Sequence, residues 1–252
     1  MNAQELSGKV AVITGASKGL GQAMAIALAS AGSIVALVSR DKDRLEATDA
    51  DVRAAGGQAE VFKTDVTDEP QVAHLAAGLK ERFGRVHILI NNAGINIRKP
   101  VTDFAVEEWH RVLDTNLTGA FLMCRSLVPL MRGQGYGRII NMTSIMSHVS
   151  MPMRSAYSAS KAGLLGFTKA LALELAPDGI TVNGISPGPI ATEMNLPITQ
   201  NPELNQQFVS RIPSGRWGKV QEIGQLALYL CSENAGFITG TDLVIDGGWC
   251  AQ

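Results

Sequence analysis

The chain has 252 residues, 46% of them hydrophobic, and its 22 Lys and Arg nearly balance its 23 Asp and Glu. This length suffices for one large domain with a substantial core, and the balanced charge argues against a nucleic-acid partner. No apolar run approaches the roughly 20 residues of a membrane span. The N-terminus also lacks the basic and apolar stretches of a signal peptide, so we expect a cytoplasmic protein without a membrane partner.

Cysteine and histidine spacing points to neither disulfides nor metal. Cys124, Cys231 and Cys250 are odd in number and far apart, which favours reduced thiols. The four histidines show no metal-ligand spacing with each other or with the cysteines, so we predict no metal site. His148 is of interest only because it lies between two candidate catalytic residues, and its role stays open.

Seven short apolar runs alternate with helical patterns along the chain. The runs are continuous, as expected for parallel strands covered on both faces, and they span 10–13, 34–38, 59–62, 88–90, 139–142, 181–185 and 243–245. The helical patterns span about 20–31, 42–55, 69–83, 106–132, 154–176 and 220–232. This order predicts an α/β, Rossmann-like doubly wound fold, in which helices flank a seven-stranded parallel sheet on both faces. We found no repeat or linker, so residues 1–252 are predicted to form a single domain.

A glycine turn follows the first strand and leads into a run of helix formers. A strand, a glycine turn and a helix together form the usual context of a phosphate-binding motif. Glycines let the backbone approach a pyrophosphate, and the helix N-terminus offers free N–H groups. The spacing is GxxxGxG, whereas the common dinucleotide fingerprint is GxGxxG. The predicted dinucleotide-binding turn consists of Gly15, Ser17, Lys18, Gly19, Leu20 and Gly21.

The end of the second strand predicts which dinucleotide binds. NAD-preferring folds carry an acid here that holds the ribose 2′-hydroxyl, whereas this chain has Ser39 followed by Arg40. Arg40 can pair with a 2′-phosphate, and Lys18 can reach the same group from the glycine turn. Asp41 weakens the argument, but two cations without an acid favour NADP(H).

Ser144, Tyr157 and Lys161 form the candidate catalytic set. Residues four apart share a helix face, so Lys161 can hold its ammonium near the Tyr157 phenol. A nearby cation is expected to lower the tyrosine pKa towards neutrality. The phenol could then exchange a proton with a carbonyl or alcohol oxygen, to which the Ser144 hydroxyl could hydrogen-bond.

The stretch 190–217 interrupts the alternation of strands and helices. It is long and follows the sixth strand, and ligands of doubly wound sheets bind beyond the carboxyl ends of the strands. We therefore expect a substrate-covering loop, with an ordinary surface elaboration as the alternative. Its apolar residues suggest an apolar cover: Met194, Leu196, Ile198, Phe208 and Ile212.

Together, and in this order, these motifs resemble the short-chain dehydrogenase/reductase family over nearly the whole chain. The matching residues are Thr14–Gly21, Asp65–Val66, Asn91–Gly94, Asn116, Ser144, Tyr157, Lys161 and Pro187–Gly188. The resemblance implies hydride transfer between a nicotinamide and a ketone or secondary alcohol, with Tyr157 as the acid/base. It also implies a homotetramer. The alternative is a nucleotide-binding regulator that has lost catalysis.

The resemblance also implies roles for individual residues. Asp65 and Val66 would bind the adenine, and Asn116 would relay protons through Lys161. Asn116 is unfavourable in a helix, so a kink is expected there. The cofactor would also contact Asn92, Ala93, Gly94, Pro187, Gly188, Ile190 and Thr192.

The substrate is less well determined by the sequence. The segment Gly94–Pro100, which contains Arg98 and Lys99, resembles that of gluconate 5-dehydrogenases, where a cation could hold a carboxylate. The chain is also similar to β-ketoacyl-(acyl carrier protein) reductases. Arg98 could equally be a solvated loop charge, so both substrate classes stay open.

Overall fold

A computed structural model describes residues 4–252, apart from the side chain of Met194. The strands are β1 (Val10–Thr14), β2 (Ile34–Ser39), β3 (Gln58–Lys63), β4 (Ile88–Asn91), β5 (Gly137–Met142), β6 (Ile180–Pro187) and β7 (Asp242–Ile245). The helices are α1 (Gly19–Ser30), α2 (Lys42–Ala54), α3 (Glu69–Phe83), α4 (Val106–Leu113), α5 (Gly119–Met131), α6 (Ser155–Leu175), α7 (Leu196–Thr199), α8 (Pro202–Val209) and α9 (Val220–Cys231).

The strands form one parallel sheet in the order β3-β2-β1-β4-β5-β6-β7. Each predicted apolar run falls inside an observed strand, and the predicted doubly wound α/β fold is confirmed. The strand order reverses between β1 and β4. Such a switch point leaves a crevice beyond the carboxyl ends of the strands, where ligands bind.

Apolar side chains fill both faces of the sheet. Along β1, Ile13 packs into the core beneath α1, α2 and α9, whereas Val12 packs into the core beneath α3, α5 and α6. Successive side chains of a strand point to opposite faces. Both faces are buried, which explains why the strands read as continuous apolar runs and not as alternating ones.

The predicted single helix 106–132 is wrong in detail. A π-helical turn, Asp114–Thr118, separates α4 from α5 and contains the buried Asn116. Such turns arise where the regular i→i−4 hydrogen-bond ladder is interrupted. The interruption agrees with the kink expected at Asn116.

The stretch 190–217 is more ordered than a plain loop. It carries the short helices α7 and α8, each with a proline in its first turn, where the missing N–H costs nothing. Its base is closed by hydrogen bonds from Ala191 N to Gly218 O (3.0 Å) and from Gly218 N to Pro189 O (2.9 Å). The excursion therefore begins and ends at one point, just beyond β6.

Within residues 4–252, none of the helices combines the length and apolarity needed to cross a membrane. Cys124, Cys231 and Cys250 all carry free thiols.

Candidate active site

A cavity of about 870 Å³ opens beyond the carboxyl ends of the strands, at the switch point between β1 and β4. Every predicted site residue lines it except Gly21 and Asn116. The lining predicted from the sequence is Gly15, Ser17, Lys18, Gly19, Leu20, Ser39, Arg40, Asp65, Val66, Asn92, Ala93, Gly94, Ser144, Tyr157, Lys161, Pro187, Gly188, Ile190 and Thr192. Gly21 and Asn116 lie immediately behind this wall.

The turns after β1 and β4 are tied together beneath the cavity. The Thr14 hydroxyl accepts hydrogen bonds from Asn92 N and Ala93 N, both at 3.0 Å. The Asn92 amide donates to the carbonyls of Thr14 (2.9 Å) and Gly15 (3.1 Å). The sequence shows Thr14 only as part of a motif, because its partners are more than 75 residues away.

Two glycines are required by this close approach. Gly15 has φ +62°, and a Cβ on it would lie 2.9 Å from Ala93 Cα. A Cβ on Gly21 would lie 2.7 Å from the Asn92 amide nitrogen. Because neither residue has a side chain, the turn after β1 can pack directly against the loop after β4. The first turn of α1 also contains no acidic residue, which leaves its N-terminus suited to an anion.

Both cations predicted to bind a 2′-phosphate are paired with acids. Lys18 lies 2.5 Å from Glu193 of the covering segment, and Arg40 lies 3.6 Å from Asp65. Arg44, which sequence reasoning missed, lies 3.6 Å from Glu193. All these side chains are at least a quarter exposed, so the pairs contribute little to stability.

Asp41 weakens the NADP(H) argument less than its position in the sequence suggests. Its carboxylate caps α2 by accepting from Arg44 N (3.1 Å), and it also lies 3.3 Å from the Arg44 guanidinium. A carboxylate at a helix N-terminus is stabilised by the helix dipole. Its charge is therefore partly offset by α2 and Arg44.

The catalytic set is assembled from β5 and α6. Ser144 follows β5 by two residues, and its hydroxyl accepts a hydrogen bond from Met146 N (3.1 Å). Tyr157 and Lys161 lie on the first two turns of α6. The Lys161 ammonium donates to the carbonyl of Met142 at the end of β5 (2.6 Å). This bond joins α6 to the strand that positions Ser144.

The expectation that Lys161 lowers the pKa of Tyr157 is wrong for this structure. Burial raises the pKa of Tyr157, and the lowering influences come from the Ser144 hydrogen bond and the charges of Arg154 and Arg98. Lys161 Nζ lies 5.6 Å from the tyrosine ring centroid and is hydrogen-bonded to a carbonyl. Burial also lowers the pKa of Lys161 to about 8, because no acid compensates its charge.

Asn116 holds the loop after β4 in place from behind the cavity. Its amide oxygen accepts from Ile95 N (2.8 Å), and its nitrogen donates to Ile95 O (2.9 Å) and to the Ser160 hydroxyl (3.0 Å). A Cβ on Gly94 would lie 3.2 Å from Asn116 Oδ1 and 3.6 Å from Lys161 Nζ. Gly94 therefore separates Asn116 from Lys161.

The covering segment is held against the cavity by aromatic stacking. The Phe208 ring of α8 stacks on Trp217 (4.9 Å between centroids) and on Trp249 near the C-terminus (5.2 Å). Phe208 and Trp249 both line the cavity, whereas the predicted Ile212 is buried elsewhere in the core. Trp249 was missed because it is about 40 residues from Phe208 in sequence.

His148 does not line the cavity but braces the loop that carries Ser144. Its Nε2 lies 2.6 Å from the buried carboxylate of Asp242, at the start of β7. The same carboxylate accepts from the hydroxyls of Thr143 (2.6 Å) and Ser186 (2.7 Å). The network thus joins the ends of β5, β6 and β7.

The two cations that could hold a substrate carboxylate, Lys99 and Arg98, differ in whether they already have a partner. Lys99 pairs with Glu108 at 2.6 Å, so it is not free for a ligand. Arg98 lines the cavity and makes only a long contact, 3.5 Å, to the Asn195 amide oxygen. Arg154, which sequence reasoning missed, lines the same end of the cavity.

Comparisons with known proteins identify relatives of this chain. A family model described as enoyl-(acyl carrier protein) reductase matches residues 15–250. The chain is 38% identical to D-β-hydroxybutyrate dehydrogenase of Rhizobium meliloti (97% of this chain, 99% of the relative). It is 39% identical to 3-oxoacyl-[acyl-carrier-protein] reductase of Synechocystis (96% and 97%). It is 35% identical to gluconate 5-dehydrogenase of Gluconobacter oxydans (96% and 98%).

Solved structures of similar proteins share the fold over the full length. A short-chain type dehydrogenase/reductase from Mycobacterium marinum has a TM-score of 0.92 at 39% identity, covering 99% of this chain and 98% of its own. A gluconate 5-dehydrogenase from Burkholderia cenocepacia, in complex with NADP and tartrate, has a TM-score of 0.93 at 32% identity, with the same coverage.

Proposed function

Because the chain belongs to the short-chain dehydrogenase/reductase family, we propose that it is an NADP(H)-dependent oxidoreductase that interconverts a ketone and a secondary alcohol. One observation carries the proposal. The glycine turn after β1 and the set Ser144, Tyr157 and Lys161 line a single cavity at the switch point of the sheet.

The residues around the cavity fit NADP(H). The glycine turn after β1 lines the cavity at the N-terminus of α1, where a pyrophosphate would lie. Lys18, Arg40 and Arg44 surround the end of β2, where a 2′-phosphate would lie. Asp65 and Val66 would hold the adenine, while Pro187, Gly188, Ile190 and Thr192 would surround the nicotinamide. When bound, NADPH supplies a hydride to the carbonyl carbon, and NADP⁺ accepts one in the reverse direction.

Tyr157 acts as the proton donor in the reduction. Its raised pKa keeps the phenol protonated at neutral pH, so it can give a proton to the carbonyl oxygen as negative charge develops there. The Ser144 hydroxyl orients the same oxygen. The charges of Arg154 and Arg98 favour the phenolate once the proton has left. Lys161 would hold the ribose hydroxyls of the cofactor, and Asn116 would support proton exchange through Lys161. In the oxidation, Tyr157 accepts the proton of the alcohol.

Two substrate classes remain candidates. Relatives of similar identity are named gluconate 5-dehydrogenase and 3-oxoacyl-[acyl-carrier-protein] reductase, and a structural neighbour binds tartrate. Arg98, at the Tyr157 end of the cavity, favours a sugar acid over a thioester, because only the acid presents a carboxylate there.

The segment 190–217 would cover the bound substrate within one catalytic domain of residues 1–252. Its closed base at Gly218 and the stacking of Phe208 on Trp249 support this arrangement. We also propose a cytoplasmic location, in keeping with three free thiols.

We further propose a homotetramer. Leu173 on α6 is 81% exposed, and Phe121 on α5 and Phe237 before β7 are also exposed. Large apolar side chains on these surfaces suit contacts between subunits. Light scattering at micromolar concentration should report four chains per particle, and a monomer would refute the assembly.

The proposed function is tested by NADPH consumption across three kinds of ketone: keto-sugar acids, β-ketoesters and hydrophobic ketones. We expect turnover with at least one class and faster turnover with NADPH than with NADH. Tight nucleotide binding with no turnover on any ketone would instead indicate a regulator.

A further inference from the structure

The Tyr157 end of the cavity contains cations without acids. Arg98, Arg154 and Lys161 line this end, and none of them forms an ion pair with a residue in the described range 4–252. The acids that line the cavity are Asp41, Asp65 and Glu193, and all three pair with cations at the β2 end.

Arg154 has few partners for a half-buried guanidinium. Among residues 4–252 its side chain makes no hydrogen bond, and Arg98 makes only the 3.5 Å contact with Asn195. A guanidinium carries several N–H donors, and burial without partners costs free energy. Burial, followed by the charge of Arg98, also lowers the pKa of Arg154. The two cations therefore repel each other across the same space.

The backbone holds both arginines in position. Arg154 directly precedes α6, three residues before Tyr157, so the helix that carries the phenol also fixes the arginine. Met153, the residue before it, has φ +67°, which costs about 1 kcal/mol or more for a non-glycine residue. Arg98 lies three residues after Ile95, whose N–H and carbonyl are both bound by Asn116. The backbone positions of both arginines are thus fixed near the reacting end.

We propose that Arg98 and Arg154 together bind a carboxylate of the substrate, so that the enzyme acts on keto acids and hydroxy acids in preference to neutral ketones, esters and thioesters. Two planar guanidiniums can each bind a carboxylate through paired N–H···O bonds. The neighbouring Met151, Leu196 and Phe208 give the rest of the acid an apolar surface. This inference rests on the proposed function, since it assumes that the substrate reacts at Tyr157.

The test measures binding without turnover. Hydroxy acids are titrated calorimetrically into the protein–NADPH complex, in which both partners are already reduced and no hydride can move. Each acid is compared with the neutral alcohol in which a CH2OH group replaces the carboxylate: gluconate with D-glucitol, and 3-hydroxybutyrate with 1,3-butanediol. At least one acid should bind at least tenfold more tightly than its neutral partner.

Substitutions of the two arginines test whether they cause the preference for the acid over its neutral partner. Arg154→Gln and Arg98→Gln should each weaken binding of that acid by about tenfold to a hundredfold, as expected for a lost charged hydrogen bond. Neither should change the neutral alcohol by more than about twofold. Arg154→Lys should retain part of the affinity. Arg85→Gln, which removes the same charge from an exposed site away from the cavity, should change nothing.

The proposal is overturned if neither acid binds better than its neutral partner, or if the preference survives in both glutamine variants. It is also overturned if glycerol 3-phosphate binds more tightly than both acids, because the site would then suit a phosphate. The two proposals fail differently. Acid binding without turnover of any ketone would refute only the oxidoreductase function, whereas equal turnover of acids and neutral ketones would refute only the carboxylate site.

Discussion

The two ends of the cavity differ in how their charged side chains are paired. At the β2 end every charged side chain that lines the cavity has a partner of opposite sign. These groups are largely exposed, as with Arg40, whose side chain is 69% exposed. At the Tyr157 end, Lys161 is buried against a single carbonyl, and Arg98 and Arg154 are half-buried without an acid. Exposed ion pairs contribute only about 0–1 kcal/mol, so they can exchange partners at little cost. Half-buried unpaired cations are costly, and a charged ligand would relieve that cost.

This difference in charge pairing means that the cofactor phosphate and the substrate would be bound in different ways. A phosphate arriving at the β2 end would compete with Glu193 and Asp65 for cations that are already paired. An anion arriving at the Tyr157 end would meet cations that have no acidic partner within residues 4–252. We therefore expect variants at the Tyr157 end to have the larger effects.

The largest expected effect is that of Tyr157→Phe. The variant keeps the aromatic ring but lacks the proton donor, so kcat should fall by about two to four orders of magnitude. The dissociation constant for NADPH, measured by fluorescence titration, should stay within about twofold of wild type. If the variant retains more than about a tenth of wild-type kcat, the assignment of Tyr157 as the acid/base is wrong.

The next effect lies at the β2 end. Arg40→Ala should lower kcat/KM for NADPH by at least about tenfold and hardly change it for NADH, because a charged hydrogen bond contributes roughly 1.5–3 kcal/mol. Steady-state assays with both cofactors measure the ratio, with Arg85→Ala as the control for charge. A wild type that uses NADH better than NADPH would overturn the cofactor assignment outright.

The burial of the Lys161 cation can be tested through the pH dependence of the free energy of unfolding. Its pKa falls from the usual value near 10.5 to about 8 on folding, so between these pH values the unfolded chain binds more protons than the folded chain. Stability therefore rises with pH across this window. Relative to Lys161→Met, the free energy of unfolding of wild type should increase by about 1–3 kcal/mol between pH 7.5 and 9.5.

Urea titrations at fixed protein concentration measure this difference. Lys169→Met, which removes an exposed lysine from the same helix, serves as the matched control and should show no such trend. The difference in unfolding free energy, wild type minus Lys161→Met, should rise with pH. If it stays constant or falls, Lys161 is not a buried cation without an acidic partner.

The smallest effect should come from the ion pair between Lys18 and Glu193. Glu193→Gln frees Lys18 and Arg44 for a phosphate, and because the pair is exposed, KM for NADPH should fall by only about two- to fivefold. Glu81→Gln, an exposed residue away from the cavity, is the control. A rise in KM would mean that Glu193 helps to bind the cofactor and does not compete with it.

The fold was largely predictable because its signals are local. Every strand contains a continuous apolar run, and the capping residues Asp41 and Asp68 mark the starts of α2 and α3. The π-helical turn at Asn116 was not predictable in form. It depends on hydrogen bonds to Ile95 and Ser160, which are 21 and 44 residues away.

The candidate site was predictable where motifs carry it and not where long-range contacts do. The glycine turn and the Ser144, Tyr157 and Lys161 set were found because their spacing is short. Arg154 was missed because nothing near it in sequence shows that it shares a cavity with Arg98. The pKa of Tyr157 was predicted in the wrong direction, because spacing alone cannot reveal that burial outweighs a nearby cation.

The most direct test of the central claim follows the hydride itself. The wild-type protein is incubated with [4,4-²H₂]NADPH and the best ketone of the panel, and the product is analysed by mass spectrometry and NMR. The account predicts an alcohol one mass unit heavier, with deuterium on the carbinol carbon and NADP⁺ formed in equal amount. NADPH oxidation that leaves the alcohol carbon unlabelled, or no oxidation with any ketone, would contradict it.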